Sequence, residues 1–120
     1  METRYTIYNV DGTTEDRTVD WPKEPGYEAV RKITDPVLNG AWLEHVTVFV
    51  RDTHPHIKGF SDGYADMFVD EEGKLKGLPV NRLATAIYRE NWLVHNPGSR
   101  AEDLDTINGP ALLFHRKVWY

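Results

Sequence analysis

The sequence predicts an α+β fold: one mostly antiparallel sheet of about five strands packed with two helices, in a single domain spanning residues 1–120. Three observations carry that expectation. Short stretches rich in Val, Ile, Thr and aromatic residues alternate between two faces, as strands do. Two longer stretches repeat apolar residues at helical spacing. The order reads strand, strand, helix, strand, strand, helix, strand, and hairpin connections keep neighbouring strands antiparallel. No internal repeat, low-complexity tract or long linker divides the chain.

Arg4 to Val10 reads as the first strand, Asp11-Gly12 as a hairpin turn, and Arg17 to Trp21 as the returning strand. Pro22 and Pro25 end the sheet there. Tyr27, Val30, Ile33, Val37 and Leu38 mark a helix that Asp35-Pro36 interrupts or restarts and Asn39-Gly40 closes. Trp42 to Arg51 is the longest strand, and apolar residues on both its sides predict a central position covered on each face. A loop from Asp52 to Asp62 leads to a strand over Tyr64 to Val69, closed by the polar turn Asp70-Glu71-Glu72-Gly73. Asn81 is positioned to cap a helix running to about Asn91. Asn96-Pro97-Gly98-Ser99 is a turn, and Ala111 to Trp119 is the last strand.

Composition excludes several classes of function. The absence of Cys removes disulfides, thiolate catalysis and thiolate metal sites together. No apolar run approaches the ~20 residues needed to cross a bilayer. The first residues lack the basic-then-apolar layout of a signal peptide, so a cytoplasmic setting without membrane contact is expected. Net charge is −5, unevenly spread. Residues 1–72 hold fifteen acids and seven bases; residues 73–120 hold four and seven. A uniform basic footprint for nucleic acid is missing, so direct nucleic-acid binding is not expected.

Candidate chemistry is sparse. Gly59-Phe60-Ser61-Asp62-Gly63 spells a nucleophile elbow, but a His/Pro loop precedes it and a strand follows, whereas the elbow needs a strand and then a helix. Asp52-x-His54-x-His56 offers two imidazoles and a carboxylate that an extended backbone would set to one side, with His45 or His115 as further ligands. The plainer reading is a polar loop, and no metal or other cofactor is predicted. The acids Asp66, Asp70, Glu71 and Glu72 read as a solvated turn, since general acid–base work needs one desolvated carboxyl. Lys74, Lys76, Gly77, Asn81, Arg82 and Arg89 surround a helix N-terminus and could cradle an anion. Their structural reading is turn-shaping glycines and a capping asparagine. Of the many aromatics, most are expected in the core and some at a protein interface.

The run Met67 to Thr85, with Glu72-Gly-Lys-Leu-Lys-Gly-Leu-Pro-Val-Asn81 at its centre, resembles the family called domain of unknown function 3846 of phages, plasmids and bacterial accessory genes. The likeness continues through Ile107 to Phe114 and Val118-Trp119, covering residues 17–119 in outline and 66–119 in specific motifs. The resemblance implies a mobile-element origin and a shared fold. It brings no established activity and no catalytic residue.

No enzyme is therefore expected. The leading expectation is a small accessory protein of phage or mobile-element type that binds a host or phage protein. Asp62, Asp66, Asp70, Glu71, Glu72, Trp119 and Tyr120 are its candidate contact residues. One alternative is a binder or sponge of a small anionic ligand such as a nucleotide at Lys74, Lys76, Gly77, Asn81, Arg82 and Arg89. Another is an acidic DNA mimic directed at a nucleic-acid-binding host protein.

Overall fold

Two hairpins and one short strand make the sheet. Strands β1 (Glu2–Tyr8) and β2 (Thr14–Asp20) pair along their whole length through a turn in which the Asp11 carboxylate accepts the Thr13 N–H and hydroxyl. Strands β3 (Leu43–Phe49) and β4 (Tyr64–Asp70) form the second hairpin, with Leu43 opposite Asp70 and Phe49 opposite Tyr64. Strand β5 (Ala111–Phe114) lies between β1 and β4, giving the order β2-β1-β5-β4-β3 with every pairing antiparallel. The computed structural model describes residues 1–49 and 63–120. Among them it bears out the α+β architecture, one five-stranded antiparallel sheet with two helices.

Alternation sorts the core into two layers. Tyr5, Ile7, Phe68, Leu112 and Phe114 face helix α1 (Tyr27–Leu38), meeting Val30 and Leu38. Ala65, Met67, Val69, Ala111, Leu113 and Val48 face helix α2 (Arg82–His95), meeting Ala84 and Ile87. One helix thus covers each face. Phe114 sits in a stack between Tyr5 at 5.1 Å and Trp21 at 5.2 Å.

Three expectations are corrected. The Trp42–Arg51 stretch supplies an edge strand, not a central one, and the centre belongs to the four-residue β5, whose side chains are all buried. β3 is apolar on both sides because α2 covers Val46 and Val48 while Phe49 packs on Tyr64 at 5.4 Å. Its open edge is closed by Asn91 of α2, whose carboxamide accepts the Phe49 N–H and donates to the Thr47 carbonyl, each at 2.9 Å. That contact imitates a neighbouring strand and blunts the edge against further pairing. Second, α1 runs through Pro36 without interruption and ends at Asn39, which takes the left-handed conformation. Third, the last strand stops at Phe114, and α2 extends past Asn91 to His95.

The two most specific stretches of the sequence fold against each other. Asn81 is fully buried; its Oδ1 accepts the Ala84 N–H as an N-cap, and its Nδ2 donates to the carbonyls of Tyr8 and Gly109. Val80 bridges Asn108, the Asn81 N–H reaches the Ile107 carbonyl at 2.8 Å, and the Gly109 N–H reaches the Pro79 carbonyl at 2.8 Å. Gly73 lies so near that a Cβ there would sit 2.2 Å from the Asn108 carbonyl oxygen. Gly77 has φ +71° with open space around it. Gly73→Ala is therefore expected to cost more than about 3 kcal/mol, because backbone must move. Gly77→Ala should cost only about 1 kcal/mol, for the left-handed backbone alone. Urea unfolding of the two variants measures the difference.

Candidate interaction surface

The segment after β5 packs over part of β3, where the Trp119 ring lies 5.9 Å from His45. The His115 N–H makes a backbone bond to the Arg4 carbonyl, and the chain then leaves the sheet. Arg116 turns inward, with 4% of its surface exposed. Its Nε donates to Thr3 Oγ1 at 3.0 Å, Nη1 to the carbonyls of Lys23 and Lys117, and Nη2 to the carbonyl of Pro22 at 2.9 Å. These partners are neutral oxygens, arranged to satisfy a desolvated cation through hydrogen bonds.

Asp66 holds the same segment from the sheet side. Strand alternation places it on the α1 face, and its side chain is 3% exposed. Oδ2 accepts the N–H groups of Val118 at 2.7 Å and Trp119 at 2.8 Å; Oδ1 lies 2.7 Å from His45 Nε2. Burial by itself pushes this carboxyl up, but the bonds from His45, Val118 and Trp119, together with the imidazole charge, outweigh it and hold it below its ordinary value. An ionised carboxylate only accepts, so Nε2 is the protonated nitrogen of His45.

The result is an aromatic surface around Trp119. Its ring packs 5.4 Å from Phe68 and 5.9 Å from both His45 and Tyr27. A cavity of about 340 Å³ lies on one side, lined by Glu24, Gly26, Tyr27, Val118, Trp119 and Tyr120. A second, of about 290 Å³, is lined by His45, Thr47, Phe49, Tyr64, Asp66, Lys117 and Trp119. Tyr27 and Tyr120 are 52% and 57% exposed.

The cations singled out from sequence do not share one pocket. Lys74 pairs with Asp105, and Lys76 Nζ pairs with Asp70 Oδ2 at 2.7 Å. Asn81 spends its carboxamide inside the fold, Gly77 shapes the turn, and Arg89 donates to the Leu104 carbonyl at 3.0 Å. Arg82 is exposed and makes no ion pair among the described residues. Of the candidate contact acids, Glu71 and Glu72 are exposed, whereas Asp66 and Asp70 are buried. The reading of Asp66 and Asp70 as solvated surface is thereby corrected. Asp70 terminates β4 by accepting the Glu72 N–H and the Lys76 ammonium, which organises the turn rather than facing a partner. Trp119 is partly buried and Tyr120 is exposed. Asp62, the Asp52-x-His54-x-His56 triplet and the Gly59–Asp62 part of the nucleophile-elbow spelling lie outside the described residues.

A smaller cavity, about 120 Å³, opens between Glu44, Glu71, Tyr88 and Asp105. Desolvation raises the Glu44 carboxyl above its ordinary value, and the nearby Glu71 and Asp105 charges add to it. No cluster of three or more His, Asp or Glu suited to a metal occurs among the described residues. No helix among them is long and apolar enough to cross a membrane. No family model, curated protein or solved structure matches the chain.

From sequence, His45 is offered only as a further metal ligand and Tyr27 only as a helix position, and Arg116 is not singled out. The legible signals were a histidine and an aspartate on strands that form one hairpin, and an arginine inside an apolar last stretch.

Acid stability should report these buried groups in two limbs. Burial and the Arg4 charge push the His115 imidazole below its ordinary value, against an opposite pull from Asp16. The unfolded chain thus takes up that proton first, and stability falls as pH drops below roughly 6.5. Asp66, held low, contributes stability above its unfolded value that is lost as pH falls below about 4. His115→Gln should remove the upper limb and Asp66→Asn shrink the lower one, while Asp66→Asn also costs about 2 kcal/mol near pH 7. Unfolding free energies across pH 3–8 check both.

Proposed function

We propose that this chain is a non-catalytic accessory protein that works by binding another protein through the surface formed by Tyr27, Trp119 and Tyr120. The observation that carries this reading is the pairing of two exposed tyrosines with a Trp whose backbone is fastened to a buried carboxylate. Tyr and Trp dominate protein contacts because they bury large area with little loss of rotamer freedom. A backbone held in place beforehand reduces the ordering cost of association. Glu24 and the exposed Glu28 flank Tyr27, while the Lys117 ammonium rests 4.9 Å from the Tyr120 ring, so the rim carries both signs of charge and suits a partner with apolar residues bordered by mixed charges.

A non-catalytic role is supported by the surroundings of His45. Its ring bonds to Asp66, and among the described residues no Ser, Thr or Tyr hydroxyl is hydrogen-bonded to it as a nucleophile. The resemblance of residues 66–119 to the domain of unknown function 3846 family supports a phage or mobile-element setting, where the partner would be a host or phage protein.

Affinity capture from cells of the native host, with Tyr27→Ala/Tyr120→Ala as the comparison, tests the reading. The double variant should retain its melting temperature and bind the captured partner about 30-fold more weakly or less. Trp42→Ala removes a ring that is 69% exposed but lines neither cavity, and should leave capture unchanged. A partner held equally well by all three proteins would contradict the proposed surface.

A further inference from the structure

The cavity on the β3–β4 side of Trp119 has features that a protein-contact surface does not require. Its walls are rings: Phe49 and Tyr64 meet edge to face at 5.4 Å, and Trp119 and His45 meet at 5.9 Å. Such walls form a slot for a flat group, since ring faces and edges complement another ring. Its volume of about 290 Å³ is near the lower bound of small-molecule sites, roughly 300–1,000 Å³.

The charged side chain of the lining that is left unpaired is a cation. Lys117 is exposed and makes no ion pair among the described residues; its ammonium rests 4.9 Å from the centre of the Tyr120 ring. This differs from Lys74 and Lys76, which each face a carboxylate. Asp66 also lines the cavity, but both its oxygens are taken, one by His45 and the other by two backbone N–H groups. Because His45 directs Nε2–H at Asp66, its Nδ1 is the ring nitrogen left for a ligand, and its lone pair suits a ring N–H of the ligand rather than the anionic group. Thr47 is the remaining polar side chain of the lining.

We propose that this cavity binds a small aromatic anion, a ring of nucleobase or indole size carrying a phosphate or carboxylate. The ring lies between Trp119 and the Phe49–Tyr64 pair, and the anionic group meets Lys117. The site is separate from Lys74–Arg89, where the sequence placed an anion. It shares Trp119 with the protein contact, and Lys117 rests against Tyr120, but its own lining includes neither Tyr27 nor Tyr120.

Probes of matched shape and different charge test it on the unmodified protein. Indole-3-acetate and adenosine 5′-monophosphate are titrated against tryptamine and adenosine, following the backbone and indole N–H resonances by NMR. The expected result is saturable shifts centred on Trp119 and Tyr64 for the two anions, with affinities in the millimolar range or tighter. Tryptamine and adenosine should bind at least tenfold more weakly. Lys117→Glu, a change at an exposed side chain, should weaken the anions at least tenfold while leaving the melting temperature unchanged. Equal binding of tryptamine and indole-3-acetate would overturn the proposal. So would shifts centred on Lys74 to Arg82, or no saturable response to either anion.

Discussion

The segment after β5 has left the sheet, so its backbone polar groups need partners from elsewhere before its side chains can be buried. Two ionic side chains supply them. Asp66 receives the N–H groups of Val118 and Trp119, while Arg116 donates to carbonyls on both sides of it in the fold, at Pro22, Lys23 and Lys117. Each charge is desolvated, which is costly in isolation, and each is compensated by several directed bonds. With the backbone held, Val118 enters the core at 2% exposure and Trp119 settles over Phe68 and His45. The aromatic surface follows from that arrangement. Without it, the rings would hang from a free strand end.

A second contact network shapes the other end of the sheet. The turn after β4 and the approach to β5 are bound by Gly73 against Asn108, Val80 against Asn108, and Asn81 against Gly109. These contacts bring β5 between β1 and β4, where its Ala-Leu-Leu-Phe side chains are buried on both faces. They also explain why the stretch from Glu72 to Asn81 is so distinctive as a sequence. Its glycines and its asparagine each meet a steric or hydrogen-bonding demand of the fold, and its lysines are drawn to Asp70 and Asp105.

Much of the fold was legible, for identifiable reasons. Asn81 has the cap signature and caps α2; Asp11-Gly12 has the hairpin signature and turns between β1 and β2. Apolar periodicity located both helices. What failed was position within the sheet. Leu43–Phe49 is apolar on both faces at an edge, because α2 covers one face and Asn91 replaces the missing strand. Local pattern reports burial, and burial by a helix or by a crossing segment reads the same as burial by a neighbouring strand. The site was harder to read. Asp66 looked like one of a run of acids, yet strand alternation turns it to the opposite face from Ala65 and Met67, toward donors 52 and 53 residues away. Arg116 carries no local signal of its partners, because its burial depends on carbonyls about 90 residues earlier in the chain.

Hydrogen exchange at the Val118 and Trp119 amides tests the central claim most directly. Both donate to a buried, ionised carboxylate, so both should exchange as slowly as amides of β4 and β5, through global unfolding. In Asp66→Asn, their protection should collapse while that of the β1–β2 hairpin persists. Exchange at the rate of an unstructured chain in the unmodified protein would contradict the account. It would mean that the segment carrying Trp119 is not held by Asp66, and that the aromatic surface is not a fixed feature of the fold.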